Sequence, residues 1–322
     1  MGKSIIGLFL LAATLGAKVA NATTVNVAVP TFGISFVSFL AAKERDYFRQ
    51  EGLDVNFVQM PAAIASRALI AGNVDFATVG GSAVTAALGG APVRLLFSTF
   101  NRSLFWLYSK PEIAAVKDLK GRKVGVSSIG SGPDSMVRDL LRTHGLQGGK
   151  DVTILAVGVD SVRYASLVNG LTDAVILSAP YNFVAHDGGF KELVSFVEHD
   201  WVELLGCIVT RDVVLRSNAA LVDKFTLATL KGLFYARNNR AGTIPSIARN
   251  MKITQELAAK TYDLAYPAMT TYGALNEELQ RKALDHVVKQ MNLIEAPNLQ
   301  KIYDFSYVER ARKQLEAQGW KP

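Results

Sequence analysis

Four short segments carry residue types suited to holding a small molecule by its polar atoms. They are Pro30-Thr31-Phe32-Gly33, Gly80-Gly81-Ser82, Ser127-Ser128-Ile129-Gly130-Ser131-Gly132 and Ala179-Pro180-Tyr181-Asn182. Each leaves an apolar, strand-like run and enters a helical pattern. In an open parallel α/β sheet such loops lie at the carboxyl ends of the strands, where ligands bind. The helix N-termini there present unpaired N–H groups and partial positive charge, which suit a carboxylate, a sulfonate or a similar group. Small hydroxyl residues allow close approach and add hydrogen bonds. In the third segment Pro133 is placed as a helix's first residue, so Ser131 and Gly132 sit at its cap. Capping and turning account for the serines and glycines of any one loop; four such loops point to a shared cleft. Ser128 and Ser131 stand first as ligand contacts, then Ser82, Phe32 and Tyr181.

Other side chains have two readings. Arg102 can clamp an anion in bidentate fashion or pair with a carboxylate to hold a hinge, and the structural role is the better one. Phe32, Trp106, Tyr181 and Trp201 offer faces to a ligand, although packing is the commoner use of such rings. The four histidines, His144, His186, His199 and His286, show no metal-ligand spacing. The chain contains no G-x-S-x-G, no H-E-x-x-H, no phosphate loop ending in Gly-Lys-Ser/Thr and no G-x-G-x-x-G. The balance moves from catalysis toward binding, with no cofactor and no metal expected.

The elements that must position these loops alternate from the start. Val25-Asn26-Val27-Ala28-Val29 reads as a strand ending at Pro30, and 35–50 as a helix closed by Gly52. Strand, helix, strand follow at 53–58, 62–71 and 75–79; Ser82 caps a short helix that stops at Gly89-Gly90, and 93–98 is again a strand. A second run repeats the order at 123–126, 133–143, 152–157, 161–169 and 173–177. After Cys207-Ile208-Val209 the pattern turns helical, at 218–237, 253–265, 276–291 and 307–318. Leu69-x-x-Gly72-x-x-Asp75 and Leu167-x-x-Gly170-x-x-Asp173 share one spacing, each joining a helix end to a strand. Glycine there closes the helix in a left-handed turn, and the aspartate can bond backbone donors in the tight connection. The echo argues for two similar α/β lobes: lobe one at 23–101 plus 205–322, lobe two at 102–204.

The first 22 residues stand apart. Lys3 begins a positive start, an uncharged apolar run follows from Ile5 to Leu15, and Ala20-Asn21-Ala22 gives the small-x-small pattern of signal cleavage. A membrane anchor needs ~20 apolar residues, and Lys18 interrupts this run too early. The expected location is therefore the periplasm. Taking Lys3 and Lys18 from the 35 basic residues leaves 33 against 28 acidic, a net charge of +5. The charge is too mild and dispersed for a nucleic-acid binder, and it slightly favours an anionic ligand. The single cysteine, Cys207, excludes an intrachain disulfide and lies in an apolar run that makes a buried, inert thiol.

The chain resembles the substrate-binding proteins of ABC transporters of the nitrate/sulfonate/taurine and thiamine-pyrimidine precursor type. The features that match are Gly52-Leu53-Asp54-Val55 after an aromatic-rich helix, Ala71-Gly72-Asn73-Val74-Asp75-Phe76-Ala77, Leu119-Lys120-Gly121-Arg122-Lys123-Val124-Gly125-Val126 leading into Gly130-Ser131, and Asn169-Gly170-Leu171-Thr172-Asp173-Ala174 followed by Pro180. The resemblance implies an α/β, type II periplasmic-binding fold: two Rossmann-like lobes, a two-strand hinge and a helical C-terminal tail. It implies a ligand site formed by Thr31, Phe32, Gly33 and Ser35, by Pro61, by Gly81 and Ser82, by Ser128 and Ser131, and by Pro180, Tyr181 and Asn182, to which Arg102 at the crossover is added by its own chemistry. The expectation is a monomeric receptor, not an enzyme, that captures a small polar, anionic organic solute and docks on an ABC permease with its ATPase. The rivals are an enzyme on the same fold, of the pyrimidine-precursor or menaquinone-pathway synthase type, and the receptor of a tripartite transporter.

Overall fold

Val25, Val27 and Val29 are buried in the first of ten strands found among the described residues, which are 22–198, 202–290 and 298–322 of the computed structural model. In chain order the strands are β1 (Thr23–Val29), β2 (Leu53–Gln59), β3 (Phe76–Val79), β4 (Val93–Phe100) and β5 (Phe105–Ser109). They continue with β6 (Lys123–Val126), β7 (Thr153–Ala156), β8 (Ala174–Ser178), β9 (Lys191–Ser195) and β10 (Leu205–Arg211). The helices of the first part are α1 (Val37–Glu44), α2 (Tyr47–Gln50), α3 (Ala62–Ala71), α4 (Gly81–Leu88), α5 (Gly132–Thr143), α6 (Asp160–Val168) and α7 (Tyr181–Asp187). Six more follow β10: α8 (Asp212–Ser217), α9 (Ala219–Asn238), α10 (Arg240–Met251), α11 (Gln255–Ala265), α12 (Glu277–Gln290) and α13 (Ser306–Ala317). The segment read as an export signal lies outside the described residues, Ala22 excepted.

The strands form two five-stranded sheets, ordered β2-β1-β3-β10-β4 and β7-β6-β8-β5-β9. In each, four strands run in one direction and a fifth, arriving from the other half of the chain, is inserted antiparallel between two of them. The chain passes between sheets twice, from β4 to β5 and from β9 to β10. One apolar cluster bridges them: Ile34 and Val37 before and in α1, Trp106 and Leu177 of the second sheet, and Ile247 and Tyr262 of α10 and α11 pack together. The first sheet is covered by α1, α9 and α13, whose contact with it includes Phe39, Phe225 and Val308. No helix of the described residues is long and apolar enough to cross a membrane.

The repeated Leu-Gly-Asp spacing performs the same task in both sheets. Gly72 and Gly170 adopt left-handed backbone, φ 83° and 71°, which a side chain would disfavour. Asp75 Oδ2 accepts the Asn26 N–H of β1 at 2.8 Å, and Asp173 Oδ2 accepts the Lys123 N–H of β6 at 2.9 Å. Each aspartate thereby ties the crossover to the neighbouring parallel strand. Asp173 also meets Lys110 Nζ at 2.9 Å. Burial alone would raise its pKa, but Lys110 and the Lys123 N–H outweigh that and hold it below the ordinary carboxylate range. The bond is thus fully stabilising above the unfolded pKa and is lost as pH falls through the lower folded one. Asp173→Ala is expected to cost about 1–3 kcal/mol in urea unfolding near neutral pH, since it strands a backbone donor and Lys110. The difference from the parent should shrink as acid protonates Asp173; an equal deficit at all pH values would assign the loss to packing instead.

Two readings of single elements are corrected. The helix expected over 35–50 is broken at Asp46, which takes left-handed backbone at φ 56° and separates α1 from α2; Asp is among the few residues that tolerate this without glycine. Ser82 does not cap α4: Gly80 holds that position, and Ser82 Oγ instead accepts a hydrogen bond from Ser66 Oγ at 2.8 Å. Cys207 is fully buried on β10, and burial pushes its thiol up to about 12.

Candidate functional site

Three loops of the first sheet and three of the second converge on one cavity of about 470 Å³. From the first come the turns after β1 (Pro30 to Ser35), β2 (Gln59 to Ala62) and β3 (Gly80 to Ser82). From the second come those after β6 (Ser127, Ser131 to Pro133), β7 (Gly158 to Arg163) and β8 (Ser178). All six are carboxyl ends of parallel strands. The two chain crossings close the back through Leu104 and Phe105 and through Glu203 to Gly206. The halves touch: a Cβ built on Gly81, the first residue of α4, would lie 3.2 Å from Gly132 Cα, the first residue of α5.

Of the residues singled out by sequence, Thr31, Gly33, Ser35, Pro61, Gly81, Ser82 and Ser131 line this cavity. Ser131 is the N-cap of α5, and its hydroxyl is fully engaged. It donates to Ser128 O at 2.7 Å and accepts from Ser127 Oγ at 2.8 Å and Asp134 N at 3.3 Å. Phe32, Arg102, Ser128, Pro180, Tyr181 and Asn182 are not among the lining residues. Phe32 packs edge-on against Phe36, and Tyr181 tilts against Tyr164. Arg102 is exposed at the first crossing. Ser128 Oγ and Asn182 Oδ1 are buried without a hydrogen-bond partner among the described residues. Trp106 is buried on β5, and Trp201 lies outside the described residues.

A family model described as NMT1/THI5 like matches residues 34–242, more than half of the chain. The chain belongs to the NMT1/THI5-like family. Among solved structures, this NMT1/THI5-like chain is similar to a protein of Bordetella bronchiseptica RB50, at 19% identity and a TM-score of 0.83, over 91% of this chain and 98% of that one. It is also similar to the alkanesulfonate-binding protein SsuA of Xanthomonas axonopodis pv. citri, bound to MOPS, at 18% identity and a TM-score of 0.70, over 91% and 98% of the two chains. The periplasmic nitrate-binding protein NrtA of Synechocystis PCC 6803 matches at 13% identity and a TM-score of 0.70, over 92% and 90%. No curated protein matches in sequence. At these identities the likeness establishes the fold, which is the two-lobed type II periplasmic-binding architecture.

The charged lining of the NMT1/THI5-like site escaped sequence reasoning. It consists of Asp160, Arg163 and Glu203. Arg163 is 2% exposed; its Nε donates to Ile176 O at 2.6 Å, Nη1 to Gly158 O, and Nη2 to Asp160 Oδ1 at 2.6 Å. Asp160 Oδ1 also accepts the Ser178 N–H at 2.7 Å. These two charges therefore neutralise each other within the wall. Glu203 is 3% exposed, and burial, with no charged partner among the described residues to offset it, pushes its carboxyl up to about 8. A signal for Asp160 existed: Gly158-Val159-Asp160 is a further strand-to-helix loop, leaving β7 and opening α6. For Glu203 the signal was an acid set between Val202 and Leu204-Leu205 in the second crossing.

Proposed function

We propose that the chain is an extracytoplasmic solute receptor, which takes a small organic molecule between its two halves and delivers it to an ABC permease with its ATPase. The observation that carries this reading is the cavity itself, framed by six strand ends from two sheets that are joined by only two chain crossings. Among the described residues its lining pairs hydroxyls with an apolar surround, which suits holding a solute. The family, and the binding proteins of similar fold, support the same reading. The moving parts are residues 23–101 with 205–322 and residues 102–204. A ligand that touches both stabilises the closed form by its differential affinity for that state. The 1–22 segment directs export to the periplasm, where the receptor acts as a monomer.

The test is native mass spectrometry of the freshly purified mature chain, followed by thermal-shift screening of amines, aminoheterocycles, sulfonates and aromatic acids. A bound solute, or a hit whose stabilisation grows with concentration as mass action requires, is the expected result. A chain that emerges empty and is stabilised by nothing across such a screen, yet turns over a candidate substrate, would make it an enzyme on this fold.

A further inference from the structure

We infer, on the receptor reading, that the ligand offers a basic, hydrogen-bond-donating nitrogen to Glu203, so that the site takes amines, amidines or protonated aminoheterocycles and rejects sulfonates and carboxylates. Glu203 stands in the second crossing, flanked by the buried Val202 and Leu204. Its carboxyl lies between the N-termini of α4 and α5. A Cβ on Gly132 would overlap Glu203 Oε1, and one on Gly81 would stand 3.5 Å from the same atom. An external anion would be expected at those two helix starts; the protein's own carboxyl occupies the place.

The charge balance of the wall points the same way. Arg163, the cation among the lining residues, is consumed by Asp160 and two backbone carbonyls. The group left over is an acid. Among the described residues an incoming sulfonate would meet no unpaired cation and one carboxyl, whereas an amidinium would meet a carboxylate acceptor that no side chain engages. Burying an acid without a partner opposes folding, so its place on the cavity wall is explained by what it binds. Ile34, Met60, Val79, Pro133, Val159 and Leu204 supply an apolar surround, which suits a ligand with an apolar body and the nitrogen at one end.

Binding of such a cation must be linked to proton release. The groups on the elements around Glu203 are few. Asp160 and Arg163 are paired across the cavity. Asp134 in the first turn of α5 is held by Arg138 at 2.8 Å and by the Gly130 N–H. Cys207 on β10 keeps its proton, and the first turn of α4 holds Gly81, Ser82 and Ala83, none titratable. His199 and Asp200 lie outside the described residues. Free Glu203 holds its proton up to about pH 8. The affinity for a permanently charged amidinium should therefore rise about tenfold per pH unit from pH 6 toward 8 and then level off.

The experiment titrates the mature chain and Glu203→Gln with benzamidine and benzylamine, and with benzenesulfonate and benzoate of the same ring size, at pH 6, 7 and 8.5. The cations are expected to bind the parent with the stated pH slope and the anions not to bind. In Glu203→Gln, cation affinity should fall tenfold or more and lose its slope. Anions that bind the parent as well as or better than the cations, or cation binding indifferent to Glu203→Gln, would overturn this inference and leave the receptor standing. A parent that binds no probe of either charge, and is empty and unresponsive in the wider screen, would remove the receptor reading and this inference with it.

Discussion

Glu203→Gln is expected to make the ligand-free protein more stable at alkaline pH, by about 5 kcal/mol at pH 9 relative to its effect at pH 4.5. The unfolded carboxyl titrates at its ordinary value of 4.5, the folded one at about 8. Below pH 4.5 both states hold the proton and ionisation contributes nothing. Between the two values the unfolded state releases a proton that the folded state keeps, and folding is opposed by ~1.4 kcal/mol for each pH unit. Above about 8 both are ionised and the full penalty remains. Glutamine has no such titration, so any constant cost of its amide appears at every pH and leaves the slope untouched. For a chain of this size unfolding cooperatively, the difference corresponds to a melting-temperature gap on the order of 8 °C. Calorimetry of parent and variant from pH 4.5 to 9 reads it directly. A gap that does not widen with pH would mean that the carboxyl is solvated or paired, which would also weaken the electrostatic case for a basic ligand.

This residue also shows where reading the sequence stops. The parallel strands were legible because their physics is local: alternating valines in β1, a left-handed glycine after α3 and α6, an aspartate positioned to accept the next strand's N–H. The carboxyl-end loops followed from strand-helix order, and seven of the thirteen residues singled out from them reach the cavity. The six outside the lining are placed by groups beyond their own segments. Phe32 packs on Phe36 just before α1 and Tyr181 on Tyr164 of α6, while Ser131, which does reach the cavity, spends its hydroxyl on the helix it starts. Helix α10 went unread because it holds Gly242 and Pro245, two breakers that tertiary packing overrides. The burial of Glu203 is created only when α4 of one half and α5 of the other are brought against the second crossing, and no local pattern encodes that meeting.

The same meeting supplies the sharpest test of movement between the halves. Gly81 and Gly132 approach so closely that a Cβ at Gly81 would lie 3.2 Å from Gly132 Cα and 3.4 Å from its nitrogen. Gly81 is the first residue of α4 and its φ is not positive, so a side chain there strains no backbone and improves helix propensity. The Cβ of a side chain there meets only groups of residues 102–204, so Gly81→Phe is expected to leave each half free to fold and to clash when the two come together. If residues 102–204 move against the rest, the ring should hold them apart like a wedge. The expected result is an enlarged radius of gyration in solution scattering that no longer contracts on adding ligand, with affinity reduced at least a hundredfold and ligand-free stability nearly unchanged. Gly81→Ala, which needs a shift of only a few tenths of an ångström, should lose no more than a few-fold. A phenylalanine variant that scatters and binds like the parent would show that the halves do not close across this contact. Loss of ligand-free stability would show something different: that the contact belongs to a fixed interface and the cavity is a permanent pocket, with entry by another route.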